Sequence, residues 1–127
     1  MTTIAEKRPF TQLALFLSLS WLGMFVHNML ELPLSLLSPE NSLPGLVSIF
    51  LFLGWWLLPY RRLLTAAILG WALLHLLVGG ILSVLPLPVW PFVPEQSLAH
   101  YLSHLIYSLA QLPLIGLTLS QLRIHQR

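Results

Sequence analysis

The chain has 127 residues, 57% of them hydrophobic and only 8% charged, with no cysteine and a formal net charge of +2. Soluble domains carry about 25% charged residues, so this composition excludes an ordinary soluble domain and points to one polytopic membrane domain spanning 1–127. The missing cysteine excludes thiolate chemistry, Cys-ligated zinc, iron–sulfur clusters and disulfides, while six Lys and Arg make no phosphate-binding stripe for nucleic acid.

A hydrocarbon core about 30 Å thick needs roughly 20 helical residues to cross it. Four apolar runs bounded by breakers meet that need, over 10–32, 43–60, 63–85 and 97–122. The predicted fold is therefore an all-α membrane protein, an antiparallel bundle of four transmembrane helices. The first run, "FTQLALFLSLSWLGMFVHNMLEL", ends at Pro33 and carries His27 and Glu31. It is too long for a cleaved signal peptide, and no small-x-small cleavage site follows it. The second, "LPGLVSIFLFLGWWLLPY", opens at Pro44, closes at Pro59, and contains no titratable residue before Tyr60. Its Trp55 and Trp56 suit an interfacial aromatic belt. The third contains His75 with Gly70, Gly79 and Gly80, small residues that let helix backbones approach closely. A proline-rich connection follows, "PLPVWPFVPEQS", expected to lie in the interface over the site because repeated prolines prevent helix and sheet. The fourth run opens with "HYLSH", His100 to His104, and contains Pro113, where a bend is expected.

The basic residues sort by side. Lys7 and Arg8 precede the first run, Arg61 and Arg62 separate the second and third, and Arg123 and Arg127 follow the fourth. The other two connections contain Glu40 and Glu95 but no Lys or Arg. The positive-inside rule then predicts cytoplasmic N and C termini in a cell inner (plasma) membrane.

Ionisable residues within apolar spans are costly, and they face the bundle interior or water. Five qualify: His27, Glu31, His75, His100 and His104; His125 falls in the tail. At 1.5 Å rise per residue, His27 lies roughly 6 Å below the outer boundary, His104 about 9 Å and His75 about 12 Å, with Glu31 and His100 close to the surface. All five share the outer half. Spacing of four places His27 with Glu31 on one helix face and His100 with His104 on another, the latter stripe continuing through Ser108 (or Tyr107) and Gln111.

Imidazoles with a carboxylate form a ligand set for a transition metal, zinc foremost, with copper and iron also compatible. The sequence therefore predicts a metal site made of His27, Glu31, His75, His100 and His104, serving metal handling or metal-assisted hydrolysis of a lipid-like substrate. Whether the chain is an enzyme stays open at this stage, and no catalytic residue is assigned. The alternatives are an electron-transfer protein holding haem b between two axial histidines, and a non-catalytic subunit whose histidines join helices at about 0.6 kcal/mol per contact. The lipid bilayer is the expected partner, together with a second copy or a larger membrane complex.

Overall fold

The computed structural model describes residues 4–124, with side chains from residue 8 onward. The Lys7 side chain, His125 and Arg127 lie outside the described residues. Four helices pack as a bundle: α1 (Ile4–Glu31), α2 (Pro39–Leu57), α3 (Arg61–Leu74) and α4 (Leu98–Ile124). Beyond Leu74, α3 continues as π-helix over His75–Ile81 and closes with a 3-10 turn at Leu82–Val84. Helix α1 packs between α2 and α4, and α3 closes the ring by packing on α2 and α4.

The boundaries follow from local chemistry. Proline cannot continue the ladder of α1, and Pro33 stands just beyond it. Helix α2 begins at Pro39, earlier than the Pro44 start read from the sequence, because proline is tolerated in a first turn. There the Ser38 carbonyl accepts from the amides of Asn41 and Ser42. The short connection between α2 and α3 is pinned by Trp55, whose indole N–H donates to Thr65 Oγ1 (3.1 Å) while the Arg61 guanidinium lies 4.6 Å from the indole centre. Pro113 sits within an unbroken α4.

Three segments are long and apolar enough to cross a membrane: Arg8–Glu31, Arg61–Val84 and Leu98–Ile124. The second of the four expected spans forms α2. Helix α2 is 19 residues long and opens with the polar Pro-Glu-Asn-Ser turn, so less of its length is apolar. Leu15, Leu22, Phe50, Leu63 and Leu109 are among many large apolar side chains left exposed, while polar residues slightly outnumber apolar ones among those buried. Water would penalise that distribution and hydrocarbon favours it.

The interior has two unlike halves. Toward the Arg61 end, Leu13, Leu17, Trp55, Ile68, Ala72 and Leu114 form an apolar core. Toward the other end the buried set turns polar, with Ser20, Asn28, Asn41, His100, Ser103, His104 and Gln111. Between these halves Gln111, fully buried, accepts from Ser20 Oγ and donates to the Ser20 and Tyr107 carbonyls at 3.1 Å each. That amide ties α1 to α4 two turns from His27 and His104. Gly23 makes the approach feasible, since a Cβ there would overlap Ala110 Cβ.

Candidate metal centre

Helices α1 and α4 bring His27, His100 and His104 together, with one ring nitrogen of each within 4.8 Å of the others. His100 and His104 are buried, and His27 is partly so. The spacing of four that put His100 and His104 on one face of α4 stacks their rings edge to face, with centroids 4.5 Å apart. His27 meets His104 in the same manner at 4.3 Å.

Hydrogen bonds assign the proton on each ring. A carbonyl can only accept, so the Asn41 amide Nδ2 donates to Ser35 O at 2.8 Å and its Oδ1 is left to accept. Asn28 Nδ2 donates to that Oδ1 at 2.8 Å, which turns Asn28 Oδ1 toward His27 Nδ1 at 3.1 Å. His27 therefore carries its proton on Nδ1. On α4, His104 Nδ1 faces the Gly80 carbonyl at 3.1 Å, and His100 Nδ1 faces Glu31 Oε2 at 2.6 Å. Both must be N–H donors as well. In the neutral rings every Nδ1 is then occupied and every Nε2 keeps its lone pair.

The consequence is specific. His27 Nε2 and His104 Nε2 stand 3.0 Å apart, two lone pairs pointed at one another. Such a contact is repulsive unless a cation lies between them. His100 Nε2 is buried and has no hydrogen-bond partner. Leaving a buried polar nitrogen unpaired costs free energy on the order of 1–3 kcal/mol. Metal-binding histidines characteristically donate the other ring N–H to a carboxylate, carbonyl or amide oxygen, which fixes tautomer and orientation. Here Asn28, Gly80 and Glu31 supply those acceptors. With zinc–nitrogen bonds of about 2.0–2.1 Å, tetrahedral ligands stand about 3.3 Å apart, close to the observed His27–His104 spacing. The buried triad could hold a metal ion.

The segment opposite is shaped to this end. The π winding of His75–Ile81 interrupts the regular α-helical ladder, a feature common at functional sites. Gly80 is buried there, and a methyl at that position would collide with Ser108 Oγ. The absent side chain lets α4 come close enough for His104 to reach the Gly80 carbonyl. Gly79 likewise leaves room for the Tyr107 hydroxyl.

Of the predicted ligands, His27, His100 and His104 meet. Glu31 approaches the group through His100, with side-chain exposures of 15% and 11% for the pair. His75 does not join them. It bonds Tyr107 OH through Nδ1 at 2.5 Å, and the Tyr107 ring centroid lies 5.9 Å from its ring and 5.5 Å from that of His27. The proline-rich connection does reach the site, for Glu95 comes near Glu31 and His100. Sequence reasoning missed Asn41 and the Gly80 carbonyl as orienting groups. A polar residue just before the second apolar run, and paired glycines one turn past His75, were the available signals. Comparison with protein-family models, with curated protein sequences and with solved structures returns no match.

Proposed function

We propose that this chain is a small membrane metalloprotein whose function is to hold one transition-metal ion, zinc in the first instance, on His27, His100 and His104. The observation that carries this reading is the hydrogen bonding of the three rings: each Nδ1 faces a separate acceptor, His27 and His104 turn Nε2 toward one another, and His100 keeps a buried Nε2 with no partner. Neutral imidazoles suit zinc and copper, and Glu31 partly balances the ion's charge through His100. His100 would supply the third nitrogen through its unpartnered Nε2, and a fourth position remains for water or an incoming ligand.

The site would serve metal handling or metal-assisted hydrolysis of a lipid-like substrate. The haem alternative fits the spacing poorly. Two axial nitrogens must stand on opposite faces of a porphyrin, whereas His27 and His104 are 3.0 Å apart with crossed rings. We place both termini in the cytoplasm of a cell inner membrane, on the positions of Lys7, Arg8, Arg61, Arg62, Arg123 and Arg127.

The test is elemental analysis of protein purified in mild detergent, beside His104→Ala. One zinc or copper per chain, lost in the variant, is the expected result. Equal metal in both samples would refute the site, and none in either after reconstitution would leave the histidines as helix-joining groups.

A further inference from the structure

Glu31, Glu95 and His100 form a second group, with a carboxylate oxygen or ring nitrogen of each within 4.8 Å of the others. The chain has four acidic residues in all. Two of them, from the end of α1 and from the connection before α4, converge on one histidine. Among the described residues neither glutamate is paired with an arginine; Glu31 Oε2 accepts from His100 Nδ1 instead. Two carboxylates drawn together without a fixed cation repel one another. Burial is graded across them, with Glu95 exposed, Glu31 intermediate and His100 buried. His100 belongs to both groups, and its unpartnered Nε2 lies buried behind the carboxylates.

We propose that Glu95 and Glu31 form a solvent-facing capture site for the transition-metal cation, and that His100 passes the ion inward to the triad. This rests on the metal-centre reading above. The hydrated cation first exchanges water for carboxylate oxygen at Glu95 and Glu31. It then exchanges oxygen for imidazole nitrogen, because a borderline cation such as zinc prefers nitrogen donors to carboxylates. No protein bond breaks and no proton leaves, since the receiving Nε2 is already unprotonated. The negative mouth also raises the local cation concentration and the on-rate.

The experiment is stopped-flow loading of metal-free protein in nanodiscs with Co²⁺, followed by the visible absorption of the four-coordinate ion. At low ionic strength Glu95→Gln should slow loading about tenfold, within the range that electrostatic steering provides. Final cobalt content should still reach one per chain. Glu95→Asp should load near the wild-type rate, and added salt should slow wild type more than Glu95→Gln. Loading of Glu95→Gln at the wild-type rate would overturn the capture site and leave the triad intact. A loss of final content with no change in rate would overturn it equally. Wild-type protein that takes up no cobalt would overturn the metal-centre reading itself.

Discussion

Asn28 touches no proposed metal ion, yet Asn28→Leu should weaken metal binding 10- to 100-fold, the usual cost of removing a group that orients a ligand. Asn28 Oδ1 is the acceptor that holds the His27 proton on Nδ1, and Asn28 Nδ2 in turn donates to Asn41 Oδ1. Leucine fills a similar volume but cannot accept. His27 would then be free to place its proton on Nε2, where it satisfies the His104 lone pair and blocks the ion. The stated loss corresponds to about 1.4–2.7 kcal/mol of binding free energy. Asn28→Asp keeps an acceptor for His27 but loses the donor to Asn41, and should retain more affinity than Asn28→Leu. The assay is competition for Zn²⁺ against a chromophoric chelator in detergent, with helix content checked by circular dichroism. Wild-type affinity in a folded Asn28→Leu protein would refute the tautomer argument.

Other consequences can be measured in the same way. Gly80→Ala should lower metal affinity, because its methyl meets Ser108 Oγ and pushes the carbonyl away from His104; the added change Ser108→Ala should restore part of the loss. No recovery in the double variant would count against that cause. Gly23→Val should destabilise the fold by about 1–3 kcal/mol in thermal or denaturant unfolding, the usual cost of overpacking, since any Cβ there overlaps Ala110. Unchanged stability would show that α1 and α4 are not held at that distance. His75→Phe should keep full metal content, since His75 bonds Tyr107 and stands outside the triad. Metal loss in that variant with the fold intact would return His75 to the ligand set.

Much of the fold was legible because lipid crossing imposes a length. The four apolar runs match four helices closely, with prolines at or near several of their ends. The second helix starts before its apolar run. Its apolar centre was visible, but Glu40 and Asn41 belong to the helix and make its first turn polar. The candidate site was legible in part for a similar reason. Helical spacing put His100 with His104 on one face, and depth put His27 level with them. Spacing within one helix cannot fix rotation between helices, and that is where the reading of His75 and the structure part. The orientation of α3 goes with its π winding and with Gly79, which leaves room for the Tyr107 hydroxyl that bonds His75. Asn41 and the Gly80 carbonyl escaped notice because one is an uncharged side chain and the other is backbone. Neither type stands out from composition, although both decide where the imidazole protons reside.

X-ray absorption at the metal edge tests the central claim most directly, using zinc-loaded protein in detergent or nanodiscs. Three imidazole nitrogens bound through Nε2 at about 2.0–2.1 Å, with one oxygen ligand, is the spectrum expected from His27, His100 and His104. A shell of oxygen alone, or a spectrum unaltered by replacing His27 and His104 together, would contradict it.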